Sequence, residues 1–345
     1  MTEIQRFFPR HLNQQLRHDM RFRHRFQRTN PVIKVWVFLA CLILVFILLT
    51  RDYGFSEGAR LAGGSPNAYV FYAAQDAYAC SVLVNIHLLK AVHHSKHRII
   101  VLVSKDVSSK YRSSFKTLGA EVVRENPMPL HSASSQYYRG CLLKLSAFRM
   151  HEIDQSLNRV VVLDADQLIL KNLDHLFDLP PADLVAPRAY WLDDSFLSST
   201  LMLIQPTPKL WSQIQQTVAT LPPHQYDMDV VNALFGDLAV RLPGSYIVLN
   251  NHWEDWTLPP WFTPKVATSD SAPPEPSQPA SAEDLDHLLA QSYVIHFTAV
   301  GKPWKYDIWT VSELKPNVHP LLLRQWEEWR LIALEVCPKG LLDHL

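Results

Sequence analysis

Cysteine is scarce in this chain. The four occur at positions 41, 80, 141 and 337, and no two share a short spacing. That scatter matches neither a zinc-ligand pattern nor a disulfide framework. One bridge among Cys80, Cys141 and Cys337 stays open, with its pairing undetermined by the sequence. No Asn-x-Ser/Thr acceptor and no internal repeat is found. An excess of charge is missing too, since 33 Lys and Arg face 33 Asp and Glu. Nothing in that balance marks a nucleic-acid binder, and none is expected as a partner.

The balance conceals a local asymmetry. Residues 1–34 carry Arg6, Arg10, Arg17, Arg21, Arg23, Arg25, Arg28 and Lys34 against Glu3 and Asp19. The run VWVFLACLILVFILL follows at once, with no charge, Gly or Pro. Extended to Val32–Thr50, it would rise roughly 28 Å as a helix, about the thickness of a hydrocarbon core. A cleaved signal peptide fits poorly, because the basic leader is long and no small-residue cleavage site follows. The expectation is a cytosolic tail over 1–34, a transmembrane anchor over 35–50 and a polar stem over 51–66. The basic end stays in the cytosol, so 67–345 would be luminal.

Within 67–345, strand and helix signals alternate. Continuous apolar runs at Asn67–Ala74, Arg98–Ser104, Glu121–Arg124 and Arg159–Leu163 read as strands. Asp76–His93, Ser108–Leu118 and Gly140–Leu157 read as helices between them. Strands apolar on both faces and separated by helices predict a parallel, Rossmann-like βαβαβαβ sheet. Its ligand site belongs at the C-terminal strand ends. Further on, Asp183–Ala186, Leu201–Ile204 and Tyr293–Phe297 read as strands and Pro208–Leu221 as a helix. Residues 264–286 are rich in Pro, Ser and Ala, a composition that predicts a disordered insert.

The chemistry concentrates at Asp164-Ala165-Asp166, directly after the strand RVVVL. Two carboxylates one residue apart at a strand tip can converge on a hard cation such as Mn²⁺ or Mg²⁺. Alone, the motif is also what a solvated turn or helix cap looks like. Phosphohydrolases with an aspartate nucleophile share the strand–Asp-x-Asp pattern. Here Gln167-Leu168 follows it, and no matching downstream Lys and Asp-Asp set is present. An inactive scaffold that kept the fold is a third reading.

Six segments then fall in order: YVFYAAQDAY, LLKLSAF, the stretch Asp164–Pro180, LMLIQP, YDMDVVN and HFTAVGKPW. Together they resemble glycosyltransferase family 8, the glycogenin-like enzymes, over most of residues 67–310. YDMD, LVAPRAYW and IHF followed by KPW look most like the fungal Golgi N-acetylglucosaminyltransferases. The resemblance implies an α/β GT-A fold in a single domain, a UDP-sugar donor, Mn²⁺ and retention at the anomeric carbon. It also implies a Golgi type II membrane protein acting on a glycan acceptor, with mannose as the terminal sugar. Galactosyl or glucosyl transfer is the alternative within the family.

By the same resemblance, Asp164, Asp166 and His296 match the metal ligands. Lys302 and Lys144 match lysines near the donor. Ala73, Ala74 and Tyr78 match the nucleoside end, and Asp227 an acidic group beside the transferred sugar. Asp229 reads as a helix cap. Thr200, Met228 and Ala299 depart from residues common in the family, and Gly301 is positioned to serve the turn that Ala299 does not.

If the leader cannot cross, protease added to sealed microsomes should trim only residues of the N-terminal tail. Digestion of the C-terminal domain in intact vesicles would show the opposite topology.

Overall fold

The computed structural model describes residues 65–264 and 279–342, apart from 136, 137, 139 and 194. The tail, the anchor over 35–50 and nearly all of the stem lie outside these residues. So do residues 265–278 of the insert. Among the described residues, no helix is long and apolar enough to cross a membrane.

The chain opens with β1 (Asn67–Ala73), α1 (Asp76–His87) and β2 (Arg98–Val103). Next come α2 (Ser109–Thr117), β3 (Glu121–Arg124) and a 3₁₀ segment, Cys141–Arg149, that runs into α3 (Met150–Ile153). Then follow β4 (Arg159–Leu163), β5 (Gln167–Ile169), β6 (Leu184–Pro187) and β7 (Leu201–Ile204). Helices α4 (Pro208–Ala219) and α5 (Asp227–Phe235) precede β8 (Val240–Leu242), β9 (Val248–Leu249) and α6 (Asn251–Asp255). The chain closes with α7 (Ala282–Gln291), β10 (Val294–His296), α8 (Ile308–Leu314) and α9 (Pro320–Val336).

The main sheet has seven strands in the order β3-β2-β1-β4-β7-β6-β8. Its first four strands are parallel, as their two-sided apolar sequences require. The four strands expected to be parallel are so, and beyond β4 the sheet is mixed, because β7 runs antiparallel to both β4 and β6. No helix of crossover length separates β6 from β7, so a parallel pairing there was unavailable. A second sheet of three strands, β5-β10-β9, stands apart from the first. Its β5, only three residues long, carries no signal strong enough to read from sequence.

Side-chain alternation divides the core. Tyr69, Phe71 and Ala73 of β1 join one apolar cluster, and Ala68 and Val70 join another. Helices α1, α2 and α9 cover the first face. The 3₁₀ segment, α4 and α5 cover the second. Two helical expectations change in kind. Residues 88–92 are a π segment continuing α1, and most of 140–157 is 3₁₀ and irregular chain. The insert drawn over 264–286 also ends too late, since α7 starts at Ala282 with Ser281 as N-cap. Its apolar residues Leu285 and Leu288 are fully buried.

Cys80 of α1 is joined to Cys337, just past α9 and 257 positions away in sequence. This is the pairing the sequence left open, and Cys141 is free. The bridge ties the C-terminal helix to the first face of the sheet. Replacing both cysteines by alanine should therefore lower unfolding free energy by about 2–4 kcal/mol, as closing long loops typically does. Chemical denaturation measures it, and an unchanged midpoint would show that α9 packing alone suffices.

Candidate active site

Strand order around β1 creates the site. The chain leaves β1 toward β2 on one side, whereas β4 lies on the other. The C-terminal ends of β1 and β4 thus border a crevice at a topological switch point. Asp164-Ala165-Asp166 follows β4 and is the whole link from β4 in the first sheet to β5 in the second, since β5 begins at Gln167.

That link is held from below by side chains that the sequence reading did not single out. Ser81 and Asn85 of α1 are fully buried. Ser81 Oγ donates to the Ala165 carbonyl at 2.6 Å, and Asn85 Nδ2 donates to the Gln167 carbonyl at 2.8 Å. The Asp164 amide and Gln167 Nε2 both donate to the Thr200 carbonyl, at 3.1 and 2.8 Å. Short polar residues on an apolar helix carry no sequence pattern, so only the fold discloses them.

His296 arrives from the far end of the chain. β10 pairs antiparallel with β5, and His296 stands opposite Gln167. One ligand atom each from Asp164, Asp166 and His296 lies within 4.8 Å of the others. His296 Nδ1 is 3.8 Å from Asp166 Oδ1, too far for a hydrogen bond. That buried nitrogen has no hydrogen-bond partner. An orphaned imidazole nitrogen beside two carboxylates is the donor set of a divalent-cation site.

The remaining predicted groups converge here as well. Lys302 Nζ contacts Asp166 Oδ2 at 2.5 Å and donates to the Phe297 carbonyl. Lys144, 3% exposed, bridges Asp164 Oδ1 and Asp227 Oδ2, both at 2.7 Å. Ser199 Oγ also donates to Asp227 Oδ2, and Tyr72 OH donates to Asp164 Oδ1 at 2.8 Å. Three carboxylates therefore share two ammonium groups.

The charges respond to this crowding. Burial lifts the Asp164 carboxyl to about 7 against the pull of Lys144, with Asp166 and Asp227 adding to the rise. Burial would raise Asp166 too, but His296 and Lys302 outweigh it and bring it down to about 2. Burial lowers His296 to about 4, leaving a neutral imidazole at neutral pH. Burial also opposes ionisation of Asp227, yet the Lys144 charge and the hydrogen bonds hold it below the ordinary carboxylate range.

The nucleoside-end assignments separate. Ala74 lines a cleft of about 460 Å³ with Gln75, Asp106, Asn126 and Gly140. A β-carbon on Gly140 would come within 2.7 Å of Ala74 Cβ, so the close approach there requires glycine. Ala73, the last residue of β1, has its side chain fully buried in the core and does not line this cleft. Tyr78 packs edge-on against Trp304, ring centroids 5.1 Å apart. Asp229 is a cap, accepting the Tyr226 amide at 2.8 Å. Gly301 does take the turn, with φ 108°.

No protein-family profile matches the chain. Glucose N-acetyltransferase 1 of Gibberella zeae is 28% identical over 72% of this chain, which spans 56% of that protein's length. Its namesake in Aspergillus fumigatus is 25% identical over 89% of this chain and 87% of its own length. Human glycogenin-1 is 26% identical over 79% of this chain and 73% of its own. The chain is related to the glycogenin-like glycosyltransferases of family 8. The fold agrees. An active-site mutant of LgtC superposes with a TM-score of 0.51 at 15% identity, over 79% of this chain and 97% of the other. This is the GT-A-like α/β layout, with a mixed sheet.

Beside the crevice, the LVAPRAYW segment meets α6. Tyr190 OH lies 2.9 Å from His252 Nε2, and His252 Nδ1 lies 3.1 Å from Thr257 Oγ1. Tyr190 OH also accepts the Leu249 amide at 3.1 Å. Its hydroxyl proton then points to Nε2, which holds His252 as the neutral Nδ1–H form. Burial depresses His252 to about 4. A depressed histidine binds fewer protons folded than unfolded, so its contribution is present above about 6.5 and lost as pH falls toward 4. The loss should reach about 3 kcal/mol. In His252→Gln, the difference in stability between pH 7 and pH 4 should shrink by that order, and an identical pH slope in both proteins would refute the assignment.

Proposed function

We propose that this protein is a retaining glycosyltransferase that moves N-acetylglucosamine from a UDP-sugar to a mannose-terminated glycan. One observation carries the reading. Asp164, Asp166, His296, Lys302, Lys144 and Asp227 meet at one strand-end crevice, although 158 positions separate the first from the last in sequence. The choice of sugar rests on the likeness of YDMD, LVAPRAYW and IHF followed by KPW to the fungal N-acetylglucosaminyltransferases. The cleft at Ala74 and Asn126 lies just past the C-terminal end of β1, where a nucleoside is expected in this layout. The disulfide fits an oxidising compartment and so favours a Golgi-luminal domain on an anchor at 35–50.

Asp164, Asp166 and His296 would hold Mn²⁺, which when bound supplies a Lewis acid to the donor diphosphate. Lys302 adds fixed positive charge where the departing diphosphate becomes more negative. Asp227, kept ionised by Lys144 and Ser199, faces the developing oxocarbenium character of the sugar. The acceptor hydroxyl attacks from the face the phosphate leaves, and the leaving phosphate oxygen takes its proton.

Purified protein should hydrolyse UDP-N-acetylglucosamine slowly and only with Mn²⁺. Lys302→Ala should lose UDP affinity at saturating Mn²⁺ by about 1.5–3 kcal/mol, the worth of a charged hydrogen bond. His296→Ala should fold but need more Mn²⁺. Calorimetric titration separates the two. No UDP release with any UDP-sugar would favour an inactive scaffold, and a clear preference for UDP-glucose or UDP-galactose would overturn the donor.

A further inference from the structure

Asn250 is the first residue after β9 and is fully buried. Its amide donates to the His296 carbonyl at 3.1 Å. Its side-chain Oδ1 accepts the amides of Thr298 and Ala299 at 2.7 and 2.8 Å, and the Thr298 hydroxyl at 3.3 Å. β10 has ended by then, so these amides have no strand to pair with. Among the described residues, Asn250 is the tether of both. The segment is fixed once more upstream, where the Phe297 amide donates to the Asp166 carbonyl at 3.0 Å.

Downstream, the chain must turn sharply before Lys302. Val300 has φ 56° and Gly301 has φ 108°. A β-branched residue in the left-handed region is a strained conformation that persists only where its surroundings impose it. The rigid point nearest that turn is the pair of amides held by Asn250.

We infer that Asn250 is a positioning residue that sets the spacing between His296 and Lys302. It thereby couples cation affinity to diphosphate affinity. This rests on the reading of the site as a cation and nucleoside-diphosphate centre. Its side chain holds Thr298 and Ala299, which follow His296 by two and three residues and lead into the turn before Lys302, so it registers both, while its backbone amide adds a second hold on His296. Loss of that side chain should loosen both ends, whereas His296→Ala and Lys302→Ala each disturb one. Two features of the pocket suit the role. Asn250 Nδ2 has no hydrogen-bond partner, so only the oxygen is used. An aspartate therefore retains every bond that matters.

The test compares wild type, Asn250→Leu and Asn250→Asp, with thermal unfolding as a check on folding. Amide exchange without ligand should show Thr298 and Ala299 protected in wild type and Asn250→Asp, and exposed in Asn250→Leu. Titrations with Mn²⁺ alone, and with UDP at fixed Mn²⁺, should show both affinities falling about 10–100-fold in Asn250→Leu, the usual cost of losing a residue that orients a ligand. Asn250→Asp should recover most of each. Unchanged exchange or unchanged affinities in Asn250→Leu overturn the inference, as does a fall confined to one ligand. If Asn250→Leu fails to fold, weak Mn²⁺ and UDP binding by a folded, exchange-protected Asn250→Asp overturns it equally. Should wild type bind neither Mn²⁺ nor UDP, the functional reading fails and the coupling with it. The exchange arm still decides whether Asn250 holds the turn.

Discussion

Everything at the site depends on three residues that join two sheets. Asp164-Ala165-Asp166 leaves β4 and enters β5 with no slack, so a shift of either sheet would move both carboxylates. The backbone of the link is therefore the part most heavily bonded. Ser81, Asn85 and Thr200 fix it from two sides, and β10 fixes it from a third by pairing with β5. The same pairing delivers His296. Orienting two carboxylates and bringing in the imidazole are thus one structural event, and the small sheet exists at the place where the chemistry requires it.

Concentrating negative charge in a buried place has a cost, and the arrangement of lysines follows from it. Asp164 and Asp227 share Lys144 on one side, and Asp166 takes Lys302 on the other. One carboxylate remains in excess, which is why burial can push Asp164 up to about 7 while Asp166 and Asp227 stay ionised. A bound divalent cation would remove that excess. The two lysines differ in setting. Lys144 is enclosed and binds two side chains at once, whereas Lys302 sits on a turn, with its second bond to a backbone carbonyl. The first suits a fixed internal counter-ion. The second suits a group that exchanges partners when an anion arrives.

Sequence patterns disclosed the parts of this molecule that obey one strong rule each. The parallel strands show as continuous apolar runs because both faces are buried. The Asp164–Asp166 pair shows because it directly follows such a run. His296 and Lys302 come into view through resemblance, not through chemistry visible in their neighbourhood. What stayed hidden is what short elements and lone polar residues do. β5 is three residues long, and its partner lies more than a hundred positions away. Asn85 and Asn250 look like any polar residue until the backbone groups they satisfy are brought to them, and Ser199 until Asp227 and Lys144 are. Ala73 and Ala74 adjoin in sequence, but β1 ends between them, so the side chain of the first is in the core and the second lines the cleft.

The departures from the family pattern can now be sorted by position. Ala299, where a glycine is common, does not need the freedom of one, because its amide is held by Asn250 and the positive φ values fall at Val300 and Gly301. Thr200 supplies its carbonyl to Asp164 and Gln167, and its hydroxyl bonds Ser198 at 2.7 Å. It stands just before β7, next to Ser199, which donates to Asp227. Met228 replaces an amide beside the same carboxylate with an apolar, polarisable group. The first change preserves the diphosphate end. On the proposed reading the other two lie toward the sugar end and change its shape, while leaving Asp227 and its lysine intact. Selection among donor sugars should therefore reside around Ser199, Thr200 and Met228, where this chain has altered shape without altering charge.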